Sequence, residues 1–148
     1  MTFIPSFKIN ASGLHAQKIK MDLSSANLAN AQTTKAADGQ PYRKATPIFE
    51  AVPLKFDEMV GAESQMMDGV NLETVEFRGV SRDDSPFKRV YDPSHPDADQ
   101  TGFVKLPNIN LMSEMADMLL ASRAYEANVT AFNTTKNMAL KVLDLGKA

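Results

Sequence analysis

Leu111 to Leu145 is 35 residues long and contains neither proline nor glycine. A stretch of that kind predicts a single α-helix, which at ~1.5 Å rise per residue is roughly 50 Å long. Its ends are marked in the sequence. Asn110 can cap the first turn, Glu114 and Asp117 suit the positive pole of the helix dipole, and Lys141 and Lys147 suit the negative pole. Gly146 stands where a left-handed residue is expected to stop the helix. Every seventh residue from the start is apolar (Leu111, Met118, Tyr125, Phe132, Ala139). The positions four further on, Met115, Ser122, Val129, Lys136 and Leu143, complete an imperfect heptad seam. A chain of 148 residues is one domain in length, and its compact core is too small to cover such a rod. Something else has to cover it.

A second helix is predicted from Ser6, a cap following Pro5, to about Asn30. Its apolar residues form two stripes. Phe7, Leu14, Met21 and Leu28 recur every seven residues, while Ala16, Ile19, Leu23 and Ala26 lie on nearly the opposite side. One partner needs one stripe, so two stripes imply neighbours on two sides, more than a lone molecule is expected to supply. Gly13 costs up to ~1 kcal/mol against alanine inside this helix. At its end, Asn27 and Asn30 are three apart and share a face. They either mark a helix running into a loop or hydrogen-bond across helices and fix register, as single polar seam residues do.

Between the helices the pattern changes. Residues 33–40 are turn material, with Asp38-Gly39 the strongest signal. Residues 42–56 read as a strand with Ile48, Val52, Leu54 and Phe56 on one side, which Pro47 and Pro53 either confine to an edge or interrupt. Residues 57–69 show no sustained period and are expected to be an irregular, exposed excursion. Residues 70–80 return to strand character with a change of face between Leu72 and Val75 that suits a bulge. Two further short strands, 87–91 and 102–106, flank a proline-fixed turn, Asp92-Pro-Ser-His-Pro-Asp-Ala-Asp99. The expected fold class is α+β, with long N- and C-terminal helices paired as a coiled coil and a small β-rich middle region. In domain terms, residues 1–32 and 108–148 form the helical part and 33–107 the β-rich part. The helix–helix or subunit interface is expected at Phe7, Leu14, Met21, Asn27, Leu28 and Asn30, and at Leu111, Met115, Met118, Tyr125, Asn128, Val129, Phe132 and Leu143.

Charge and chemistry narrow the function classes. The net charge is −2, divided as +4 over residues 1–56, −7 over 57–99 and +1 over 100–148. No cluster of Lys and Arg suggests a nucleic-acid footprint. There is no cysteine, which removes disulfides, thiol catalysis and cysteine metal sites. No apolar run approaches the ~20 residues of a membrane helix. The opening Met-Thr-Phe-Ile-Pro-Ser-Phe-Lys8 lacks a basic start and apolar block, so no cleaved signal peptide is expected. His15 has no carboxylate or second histidine at helical spacing. His95 stands among Asp92, Asp97 and Asp99, a conceivable cation site whose spacing lacks the alternation and glycine of a calcium loop. No nucleophile elbow, phosphate loop or dinucleotide fingerprint occurs. The reading is a protein without catalytic, cofactor or metal residues, and without a nucleic-acid or small-molecule partner.

The two ends carry a resemblance. Ala26-Asn-Leu-Ala-Asn-Ala-Gln-Thr33 resembles the N-terminal signature of the rod and hook proteins of the bacterial flagellum. Glu114-Met-Ala-Asp-Met-Leu-Leu-Ala-Ser-Arg-Ala-Tyr-Glu-Ala-Asn128, continuing to Lys141-Val-Leu-Asp-Leu-Gly146, resembles the closing helix of that axial-protein family. Asp38-Gly-Gln-Pro-Tyr-Arg43, Val90-Tyr-Asp-Pro-Ser-His-Pro96 and Gly102-Phe-Val-Lys-Leu-Pro-Asn108 look like those of a proximal-rod member. The resemblance implies an inner coiled-coil domain stacked helically around an export channel, with the β-rich middle outside it. It implies a structural subunit that transmits torque in the periplasmic rod of the basal body, exported by the flagellar type III apparatus. The implied partners are that apparatus, other proximal and distal rod subunits, the rod-base adaptor protein and copies of the chain itself. Phe3 and Phe7 look like a short export signal, though packing of the first helix accounts for them almost as well. The alternatives are a different rod subunit and, from another class, a metal-dependent hydrolase built on His95 and its acidic neighbours.

Overall fold

The computed structural model describes residues 3–36, 39–54 and 72–146. The expected excursion at 57–69 therefore lies outside the described residues, as do Asp38, Phe56, the first residues of the 70–80 strand and Lys147. The element order is helix α1 (Phe3–Ala29), strands β1 (Ala45–Pro53), β2 (Glu73–Arg82), β3 (Lys88–Tyr91) and β4 (Phe103–Leu106), and helix α2 (Leu111–Leu145). This is the α+β arrangement read from the sequence, two long helices with a small β region between them.

Helix α1 begins three residues before the expected Ser6 cap. Proline has no N–H to lose in a first turn and its fixed φ already suits a helix, so Pro5 is taken inside and buried. Helix α2 starts as expected: the Asn110 side-chain oxygen accepts from the backbone N–H of Met112 at 3.1 Å and of Ser113 at 3.4 Å. It ends at Leu145 as expected, but the conformation of its cap differs. Gly146 is right-handed (φ −80°, ψ −7°) and its N–H still reaches the Val142 carbonyl at 3.1 Å, so the helix runs out without a left-handed cap.

The helices lie antiparallel. Phe7 stacks edge-on against Phe132 with ring centroids 5.1 Å apart. A Cβ added at Gly13 would sit 3.1 Å from the Asn128 amide. Lys20 approaches Asp117 at 3.9 Å, and Asn27 meets Glu114 at 3.0 Å. Ascending α1 thus descends α2 in step. Gly13 falls where the helices come close enough that a side chain would press on Asn128, which gives the sequence blemish a packing reason.

Strands β1 and β2 pair antiparallel from Ala45↔Arg82 to Pro53↔Glu73. The register shifts between Ile48, opposite Gly79, and Phe49, opposite Phe77, which leaves Arg78 as the bulged residue. The bulge is on the strand where one was expected, but beyond the Leu72–Val75 change of face. Glu50 and Glu76 stand directly opposite, a repulsive pair. The bulge lets Arg78 meet Glu50 at 2.5 Å and Glu76 at 3.3 Å. In a two-stranded sheet β1 keeps one free edge, where Pro47 and Pro53 cost no ladder bond. Strands β3 and β4 form a separate antiparallel pair, Lys88↔Leu106 to Tyr91↔Phe103.

Helix α1 touches α2, β1 and β2. The Ser12 hydroxyl shows the second contact, accepting from the Val75 N–H at 3.3 Å while donating to the Ile9 carbonyl at 2.8 Å. This corrects the inference from the two stripes. The second neighbour of α1 is the chain's own hairpin, so both stripes are half-covered within one molecule. What stays open is α2. Among the described residues the buried apolar side chains are few and small: Ala16, Ala31, Val104 and Ala121, with Pro5, Pro41 and Pro107.

Candidate assembly interface

The helix seam is built from small and polar residues. On α2 the buried positions are Glu114, Ala121 and Thr135, with Asn128 half-buried on the same line. Beside them Met118, Tyr125, Phe132 and Ala139 are half-buried. The second seam position therefore lies three residues after the first, where the sequence pattern had suggested four. The reason is chemical: Met115 and Leu143 are more apolar than Glu114 and Thr135, but the close approach at Gly13 and Asn27 selects for small or hydrogen-bonding groups. Met115 and Leu143 are turned outward, 47% and 62% exposed, and Leu111 is 43% exposed. Val129 is half-buried beside the seam, and on α1 Phe7, Leu14, Met21 and Leu28 are half-buried.

One end of the seam is a buried polar node. Asn27 is 1% exposed and Glu114 2%. The Asn27 amide nitrogen donates to Glu114 Oε2 at 3.0 Å and to the Ala45 carbonyl at 2.9 Å. Its oxygen accepts from the Ala45 N–H at 2.9 Å and from the Tyr42 hydroxyl at 3.0 Å. Glu114 Oε1 has no aligned hydrogen-bond donor; the Lys44 ammonium, 2.6 Å away, is its counter-charge. Burial, reinforced by the charge of Glu114 and opposed by Arg82, holds the Tyr42 hydroxyl pKa above its ordinary value, so at neutral pH it remains a donor. Of the two amides singled out in the sequence, Asn27 bonds across helices. Asn30 is local: it donates to the Ala26 carbonyl at 2.9 Å and accepts from the Thr33 hydroxyl at 3.2 Å. The node residues the sequence reading missed are Tyr42 and Lys44, together with the burial of Glu114. The available signal was the seven-residue line Glu114, Ala121, Asn128, Thr135.

The outward face of α2 is apolar at its two ends. Near the start Met112, Met115, Leu119 and Leu120 are 76%, 47%, 55% and 61% exposed. Near the finish Met138, Leu140, Val142, Leu143 and Leu145 are all at least 49% exposed, past the described start of α1. Between them Arg123, Glu126, Thr130, Asn133 and Asn137 face solvent.

The proline turn uses its acidic groups structurally. Asp92 caps Ser94, accepting from its N–H at 3.1 Å and its hydroxyl at 2.6 Å. Asp97 accepts from the Thr34 hydroxyl at 2.7 Å and pairs with Lys35 at 2.5 Å, tying the turn to the segment after α1. Asp99 accepts from Thr101 N–H and hydroxyl and from Phe103 N–H; these bonds hold its carboxyl at about 2. His95 Nδ1 accepts from the Asp97 N–H at 3.0 Å. Among the described residues no three His, Asp or Glu side chains are grouped to hold a metal, and no helix is long and apolar enough to cross a membrane.

The geometry is that of a paired-helix scaffold with a polar node at one end, a β insert beside it and exposed apolar surface at both ends of its last helix, the mark of interaction surfaces. Residues 100–145 match the family described as flagellar basal body rod FlgEFG protein C-terminal. The chain is 41% identical to the flagellar basal-body rod protein FlgC of Bacillus subtilis (strain 168), over 99% of this chain and all of the relative. It is 39% identical to FlgC of Borreliella burgdorferi, with 93% of each covered, and 37% identical to FlgC of Salmonella typhimurium, over 99% and 100%. The chain belongs to the FlgC family of flagellar basal-body rod proteins.

Proposed function

We propose that this protein is a structural subunit of the proximal rod of the flagellar basal body, assembling helically around the export channel and transmitting torque. The observation that carries the reading is the apolar outer face of α2. Full burial of one Val, Leu or Met is worth ~1.5–3 kcal/mol, and a helix exposing ten of them at its two ends is completed by neighbours. Apolar patches at opposite ends of one rod suit head-to-tail contacts, which propagate when they do not close a ring. The neighbours are copies of this chain, other rod subunits and the rod-base adaptor, with export through the flagellar type III apparatus and residence in the periplasm. Torque passes along the helix pair, and the β insert meets lateral neighbours. The acidic turn, its carboxylates engaged in turn and clasp bonds, has no part in chemistry.

Leu119→Asp and Leu143→Asp test this. Both sites are exposed, so each variant should keep the parent's helical circular dichroism yet fail to incorporate into rods and to restore motility. Normal incorporation of both variants would refute the reading.

A further inference from the structure

The node does more than join two helices. Its members come from three segments: Asn27 from α1, Glu114 from α2, and Tyr42, Lys44 and Ala45 from the segment that leads into β1 and its first residue. Elsewhere the seam specifies register by shape alone, through Phe7 against Phe132 and the close approach of Gly13 to Asn128. Its other buried positions on α2, Ala121 and Thr135, are small residues that discriminate little against a shift of one heptad. Glu114 is different, because a buried carboxylate is tolerated only opposite its own partners. Slipping α2 by seven residues would place Ala121 or Pro107 opposite Asn27, and leave Glu114 buried without Lys44 or Asn27. Both the carbonyl and the N–H of Ala45 bond the same Asn27 side chain, which fixes where β1 departs from the helices.

We propose that the Asn27–Glu114–Lys44–Tyr42 node is a register lock that couples helix pairing to seating of the β insert. The insert docks only on a helix pair in the correct register, and the docked insert, through Lys44, is what allows Glu114 to be buried there. The lock adds little net stability and discriminates strongly between registers, the best-attested use of a buried polar group in a helical seam.

The chain has no cysteine, so introduced pairs report register directly. In the full chain in solution, Gly13→Cys with Asn128→Cys samples the native register, since a Cβ at Gly13 lies 3.1 Å from the Asn128 side chain. Gly13→Cys with Ala121→Cys, and Gly13→Cys with Thr135→Cys, sample slips of one heptad in either direction. Under mild oxidation the native pair should close almost alone. In the background Asn27→Leu/Lys44→Met/Glu114→Leu, the ratio of native to slipped disulfide should fall about tenfold, the redistribution given by a mid-range coupling between contacting residues. Glu114→Gln, which keeps the shape and the Asn27 bond but loses the charge, should lie between the two. An unchanged ratio in the apolar background, or equal closure of all three pairs in the parent, would overturn the lock. Neither result bears on incorporation of the Leu119 and Leu143 variants into rods.

Discussion

Lys44→Met removes the charge from the node while keeping most of the stem that packs beside it. Glu114 is 2% exposed and its Oε1 faces the ammonium at 2.6 Å. At that separation the gross Coulomb attraction in an effective dielectric of ~20 is ~6 kcal/mol, offset by a desolvation cost of several kcal/mol for each ion. The net worth of the intact pair is therefore small. Removing one member forfeits the attraction and leaves the other's desolvation in place, which costs ~3–5 kcal/mol for a fully dry pair. Lys44 is 29% exposed, so water can enter its place, and the expected loss is about 3 kcal/mol. Urea denaturation of the full chain followed by far-ultraviolet circular dichroism measures it. Replacing both members (Lys44→Met/Glu114→Leu) should recover about half of that loss, because an apolar pair of similar volume needs no counter-charge and what remains is the Asn27 N–H that Glu114 had accepted. A single-variant loss below ~1 kcal/mol, the range of solvent-exposed ion pairs, would refute the reasoning. So would a double variant no more stable than the single.

Two further outcomes follow from the β insert. Gly102 has φ +80°, and an added Cβ would lie 2.9 Å from Tyr91 Cε2 and 3.3 Å from Pro93 Cβ. Gly39 has φ +76°, and among the described residues nothing lies within 4 Å of an added Cβ. Gly39→Ala should cost only the left-handed backbone, ~1 kcal/mol, and Gly102→Ala distinctly more, in the same denaturation assay; equal costs would mean the Tyr91 ring moves aside freely. The Asp99 carboxyl is held at about 2 against an ordinary 3.8, first by the Thr101 hydroxyl. A depressed folded pKa contributes stability that is complete above the unfolded value and lost as pH falls toward the folded one. Asp99→Asn should therefore flatten the fall of stability between about pH 3.8 and about pH 2, and curves of equal slope would count against it.

The elements and their order were legible because they rest on local rules. A stretch free of proline and glycine with Asn110 before it makes α2, and alternation broken by Pro47, Pro53 and the 92–99 turn makes short strands. Helix α2 ends at Leu145 as read, but the start at Ser6 and the left-handed conformation of Gly146 failed, because more than one local conformation satisfies the same residue. The chain's own hairpin on α1 was not legible either. Two stripes specify two neighbours but not whose they are, and the answer depends on how 27 residues of α1 meet strands far along the sequence.

The sequence by itself determined that this chain is two long helices around a small β insert, and its end motifs placed it with the flagellar axial proteins before any coordinates. Only the tertiary structure decided which heptad line faces inward. Hydrophobic periodicity ranks Met115 and Leu143 above Glu114, and on a free helix that ranking would hold. Glu114 goes inside because Asn27, Lys44 and Tyr42 converge on it from other segments, and a carboxylate is acceptable in a seam only where its partners are already in place. That condition concerns three separated segments at once, so no window of neighbouring residues contains it.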